Sequence, residues 1–147
     1  MLPETPSVTQ LSQVIAQVTA PAFLLGAVAA FISVLISRMN RVIDRSQALN
    51  AIGDDDNVKG HLKSDIPRLK RRAALLNKAI LFSTISAIIT SFLVIVSFAS
   101  AYLNVRHEYG VGLLFIFSVA FFMASLINLA REARIALHEY DHFASSN

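Results

Sequence analysis

The chain has 147 residues, 54% of them hydrophobic and 16% charged, with a formal net charge of +3 and no cysteine. A soluble domain carries about a quarter of charged residues, so this composition excludes an ordinary water-soluble protein. The lack of thiols excludes a disulfide framework, a thiolate metal site and a cysteine nucleophile. The basic balance, with a pI near 9.6, fits the cytoplasmic side of a membrane protein better than a nucleic-acid footprint, and no nucleic-acid partner is expected.

Residues 5 to 37, 79 to 105 and 109 to 130 contain no Asp, Glu, Lys, Arg or His. A bilayer span needs about 20 predominantly apolar residues, so each stretch is long enough to cross. The expected fold is all-α: three transmembrane helices extended into a cytoplasmic helical hairpin and bundle, as one membrane domain over residues 1–147. Residues 1 to 20 hold no Lys or Arg and include Glu4, so no cleaved signal peptide is expected.

In chain order, Val8, Leu11, Ile15 and Val18 recur at spacings of three and four among Ser, Thr and Gln. That pattern predicts a short amphipathic helix over 7–20 on the outer surface, with Thr19 and Pro21 marking a helix start or bend. Span one follows from Pro21 to Ser37. No Gly or Pro interrupts residues 38 to 52, so the helix should continue past the membrane to about residue 52. Gly53, the run Asp54-Asp55-Asp56-Asn57 and Gly60 predict a turn over 53–64. Ser64 or Asp65, ahead of Ile66-Pro67, predicts the cap of a second helix over 65–103. A third helix is expected over 110–143, with Tyr102 and Tyr109 placed as interfacial aromatics.

Orientation follows from the positive charges of short loops. Arg38, Arg41, Arg45, Lys59, Lys63, Arg68, Lys70, Arg71, Arg72 and Lys78 lie between spans one and two, and Arg131 and Arg134 follow span three. Only Arg106 lies between spans two and three. The first loop and the C-terminus should therefore be cytoplasmic and the N-terminus outside, with the basic hairpin facing anionic lipid.

Polar residues within the spans supply the next signal. At 100° per residue Ser83, Ser86, Thr90, Ser97, Ser100 and Asn104 share about a third of the circumference of span two. Such a stripe would line a water-filled path in an oligomer. Alternatively it packs helices closely, through hydroxyl hydrogen bonds worth about 0.6 kcal/mol each. On span one, Ala22, Gly26, Ala30, Ser33 and Ser37 form a small-residue face suited to close backbone approach, and a homo-oligomer is expected. On span three, Ser118, Ser125 and Asn128 share a face with Glu132. A charge clamp is expected there among Arg41, Asp44, Arg45 and Glu132, with Arg41 or Arg45 meeting the glutamate.

His138-Glu139-Tyr140-Asp141-His142 matches H-E-x-x-H, where two histidines one turn apart bind zinc and the glutamate activates water. A catalytic zinc needs a third protein ligand; Phe143 to Asn147 provide none, which leaves Asp141, His61 or a neighbouring subunit as less convincing donors and His138 and His142 as weak metal candidates. His138 and His142 are thus read as a solvated helix end, with neither a metal nor any other cofactor expected and no enzyme activity assigned. No Gly-rich phosphate loop, nucleophile elbow or paired intramembrane carboxylates are present.

Arg41, Asp44 and Arg45 directly after the first span, with Arg131-Glu132-Ala133-Arg134 directly after the third, carry a family likeness. By layout, over roughly residues 10 to 138, the chain resembles an uncharacterised bacterial family of small three-span membrane proteins, known as a domain of unknown function. The resemblance implies a bacterial inner membrane and supplies no reaction. The leading expectation is an oligomeric pore for small ions, biased to anions by the arginines at the foot of span one. The competing one is a non-conducting scaffold that binds anionic lipid or a partner through the basic hairpin, and a metal-dependent hydrolase comes third.

Overall fold

The computed structural model describes residues 7–51, 64–103 and 108–144, and their side chains except at Glu108 and beyond Leu137. The described residues are all-helical. Ser7 opens the first helix with a reciprocal capping box: its Oγ accepts the Gln10 N–H at 3.3 Å, while Gln10 Oε1 accepts the Ser7 N–H at 3.1 Å. Two donors that a helix start leaves unsatisfied are thereby paired. Helix α1 then runs through Val8–Asn50 without a break.

That continuity differs from the two segments expected around Pro21, because this proline lies inside α1. Proline removes one N–H bond, the one to the carbonyl four residues back. The residue so deprived, Gln17, is exposed, whereas Val14, Val18 and Pro21 are all buried on one face. Tertiary packing of that face holds the helix through the defect. The Thr19 hydroxyl bonds the Ile15 carbonyl at 2.8 Å and turns inward on its own backbone.

Helix α2 covers Ile66–Leu103. The Asp65 carbonyl accepts the Leu69 N–H at 3.0 Å, which makes Asp65 its cap, and Pro67 sits in the first turn where a missing N–H is harmless. Helix α3 covers Glu108–Ala144. At 1.5 Å per residue the helices measure roughly 55 to 65 Å, against a hydrocarbon core of about 30 Å. Each is long and apolar enough to cross a membrane, which makes the chain a multi-pass membrane protein. The turn expected over 53–64 falls largely outside the described residues.

Burial along the helices follows a period of seven. On α1, Val14, Pro21, Val28, Leu35, Val42 and Leu49 are buried at every seventh position. On α2 the buried residues are Leu69, Leu76, Ala79, Ser83, Ser86, Thr90, Leu93 and Ser97, and from Leu76 onward they step by three and four alternately. A repeat of 3.5 residues is the register of knobs-into-holes packing. Ile88, Phe92, Ile95, Ile116 and Phe117 point outward and are more than half exposed, as hydrocarbon-facing side chains are.

The chain divides into two compact units, Met1–Phe31 with Phe82–Met123, and Ile32–Leu81 with Ala124–Asn147. In the first, Phe31 meets Phe122 edge-on at a centroid distance of 5.4 Å, and Phe82 lies 6.0 Å from Phe121. Ser86 faces Ser118, so α2 and α3 are antiparallel there. In the second, the Ser125 hydroxyl donates to the Ala79 carbonyl at 2.6 Å and Arg72 meets Glu132, again antiparallel. Its interior also holds Leu35, Val42, Leu49, Leu69 and Leu76.

Leu76 and Leu81 lie five residues apart on α2, one fully buried and one 54% exposed. Leu76→Ala should lower unfolding stability in detergent by about 2–5 kcal/mol, the range for a leucine cavity, and Leu81→Ala should leave it nearly unchanged. Equal losses would contradict this packing.

Candidate functional site

In the first unit the hydroxyls of α2 form a buried cluster with α3. Ser86 Oγ donates to the Ser118 carbonyl at 2.8 Å, and Ser118 Oγ lies 3.0 Å from the Ser86 carbonyl. The two serines thus reach across to each other's backbone, which requires the helices to approach closely. The Thr90 hydroxyl, 2.9 Å from the Ser86 carbonyl, also closes on the Ser118 hydroxyl. Ser86, Thr90 and Ser118 have no exposure, and Ser83 has none either. Further along, Ser97 bonds the Leu93 carbonyl at 2.9 Å and the half-buried Ser100 bonds that of Val96 at 2.8 Å. The polar face read from the sequence is therefore turned toward the chain's own helices, and Asn104 lies outside the described residues.

The small-residue face of α1 is placed the opposite way. Ala22, Gly26, Ala30, Ser33 and Ser37 are all exposed, and a Cβ built on Gly26 would meet nothing within 4 Å. Neither α2 nor α3 covers this face.

The second unit contains a charged cluster in its interior. Glu132 is fully buried on the inner face of α3, beyond Ser125 and Asn128. Both Arg72 Nε and Arg72 Nη2 reach its Oε1, each at 2.9 Å. The other oxygen, Oε2, accepts no hydrogen bond and faces Arg38 Nε at 3.5 Å. The side chains of Arg38, Arg72 and Glu132 are 38%, 16% and 0% exposed. Exposure grows outward from the carboxylate to Arg38.

Arg72 and Arg38 meet Glu132, where the sequence pattern points to Arg41 or Arg45. The register gives the reason. Arg38 stands between the buried Leu35 and Val42 on the inward edge of α1, and Arg72 stands between the buried Leu69 and Leu76 on that of α2. Arg41 and Asp44 fall on the exposed side of α1. Arg45, 47% exposed, is 3.9 Å from Asp65, a solvent-accessible pair worth about 0–1 kcal/mol. Arg72 could have been singled out from the sequence by continuing the steps of the hydroxyl face backward, from Thr90 through Ser86, Ser83, Ala79 and Leu76 to Arg72. A charge on that edge needs an interior partner.

Among the described residues no group of three His, Cys, Asp or Glu side chains stands close enough to hold a metal ion. The backbone at His138 and His142 is helical, and their side chains lie outside the described residues.

Removing one partner of a buried ion pair leaves an uncompensated charge, at about 3–5 kcal/mol. Arg72→Ala should therefore destabilise the protein by several kcal/mol, whereas Arg41→Ala, at an exposed position, should stay within about 0.5 kcal/mol. Denaturant unfolding of the two variants in one detergent makes the comparison, and matching stabilities would remove Glu132–Arg72 as a structural clamp.

No curated protein and no solved structure matches the chain. A family model described as "Protein of unknown function (DUF2721)" matches residues 18–142, which take in α1 from Val18 onward, all of α2, α3 as far as His142, and the Arg38, Arg72 and Glu132 cluster. The chain belongs to the DUF2721 family.

Proposed function

We propose that this protein is a self-associating, non-conducting scaffold of the bacterial inner membrane that gathers anionic lipid at its cytoplasmic side. The observation that carries the reading is the composition of the second unit's surface. Arg41, Arg45, Arg68, Lys70, Arg71, Lys78, Arg131 and Arg134 are exposed there, beside exposed Val34, Ile36, Ile43, Leu81 and Leu137. Exposed aliphatic side chains suit the acyl region, and near-surface cations attract anionic headgroups by about 1 kcal/mol each. The excess of cations in this unit also supports a cytoplasmic first loop and C-terminus, with the N-terminus outside.

Burial of the hydroxyl face favours the scaffold over the anion-leaning pore. Ser83, Ser86 and Thr90 have no exposure, so these three hydroxyls are turned away from any axis formed by several copies. Self-association is supported by the uncovered face at Ala22, Gly26 and Ala30, where a second backbone has room to approach.

Reconstituted protein should leave salt leakage at the level of protein-free vesicles, while lipid-selectivity measurements should show anionic over zwitterionic lipid at its surface. That preference should decline with added salt and in Arg68→Gln/Arg71→Gln/Arg134→Gln. Salt flux above the protein-free level, abolished by leucine at Ser86 and Thr90, would replace the scaffold with a pore.

Gly26→Leu adds a side chain where one copy offers open space. It should leave the thermal unfolding of a single copy unchanged and shift the oligomer toward monomer in light scattering. An unaltered subunit number would remove this face from the assembly.

A further inference from the structure

Among the described residues two guanidinium groups face the Glu132 carboxylate, and the outer one has a direction. Arg72 places both of its contacting nitrogens on Oε1 and is mostly buried. Arg38 contributes only Nε, at 3.5 Å from Oε2, and keeps over a third of its side chain exposed. Oε2 has no hydrogen-bond donor of its own, so the carboxylate orients Arg38 without closing around it. Among the described residues no second acid pairs with Arg38, whose side chain is 38% exposed.

The charge pattern sets the depth of this edge. Arg38 is the first charge after the apolar stretch of residues 5 to 37, and Arg131, adjoining Glu132, is the first after 109 to 130. Both mark the boundary where hydrocarbon gives way to headgroups. A cation that is partly desolvated there, and incompletely neutralised, is stabilised by an added anion. Guanidinium matches phosphate through two parallel N–H···O bonds, which a lysine ammonium does not reproduce.

We infer that Arg38, oriented by Glu132, forms a discrete binding site for the phosphate of an anionic phospholipid. The inference rests on the anionic-lipid reading above and narrows it from a diffuse basic surface to one residue. Arg38 contacts the lipid; Glu132 and Arg72 are positioning residues that hold its Nε edge.

The test is native mass spectrometry of the purified protein released from nanodiscs of mixed phosphatidylglycerol and phosphatidylcholine. The wild type should retain one phosphatidylglycerol more tightly than the rest. Arg38→Gln should weaken that single adduct about tenfold, the effect of losing one charge-assisted contact. Arg38→Lys, which keeps the charge and loses the fork, should fall between, while Arg41→Gln should keep that single tight adduct and lose only from the weaker shell of lipid around it. Comparable weakening by Arg41→Gln and Arg38→Gln would overturn the site and leave the diffuse basic surface standing. No preference for phosphatidylglycerol in any form would sink the scaffold reading itself. Displacement of the adduct by inorganic phosphate would show a free anion, rather than a lipid, to be the occupant. Should Arg38→Gln unfold, Arg38→Lys decides by the same comparison with Arg41→Gln.

Discussion

Glu132 is a carboxylate with no exposure, and its burial constrains everything placed around it. An ionised carboxyl group removed from water is tolerated only with a cation and hydrogen bonds in place. Arg72 supplies both on Oε1, and the register that brings Arg72 to Glu132 also brings the Ser125 hydroxyl to the Ala79 carbonyl. A slip of one residue between α2 and α3 in this unit would separate both pairs at once. The ion pair is thus compatible with one register, where interchangeable apolar side chains would accept several.

The hydroxyl cluster works by a different physics in the first unit. Lipid tails are as apolar as leucine, so burying an aliphatic side chain between spans gains little from the hydrophobic effect, and helix association depends on close packing and hydrogen bonds. Ser86, Thr90 and Ser118 meet both needs. They are small, and each hydroxyl finds a carbonyl or another hydroxyl. The large side chains, Phe92, Ile88, Ile95 and Ile116 among them, are exposed instead. Small polar groups share the interior with Val28 and Leu93 while the largest apolar groups face outward, as a hydrocarbon solvent favours.

Several features were legible without coordinates because they depend on neighbours close in sequence. The three apolar runs follow from the absence of charge, a cap at Ser64 or Asp65 from the chemistry ahead of Pro67, and the shared face of Ser83, Ser86, Thr90, Ser97 and Ser100 from helical periodicity. Local chemistry also held two signals left unread: Ser7 with Gln10 is a capping box, and Arg72 lies on the same 3.5-residue steps as the buried hydroxyls. Pro21 shows the opposite failure. Its local chemistry argues for a break, yet packing of Val14, Val18 and Val28 on the same side of α1 keeps the helix whole.

By itself the sequence determined that the chain is helical and meets lipid, because length, apolar content and the placement of charges act through the solvent and need no partner. Only the tertiary structure decided which way each stripe faces. The hydroxyls of α2 turn inward and the small residues of α1 turn outward, though both stripes have the same helical spacing. It also decided that Arg38 and Arg72, instead of Arg41 and Arg45, reach Glu132. The physical reason is that spacing along one helix defines a face, while the identity of what covers that face depends on the register and rotation of the other two.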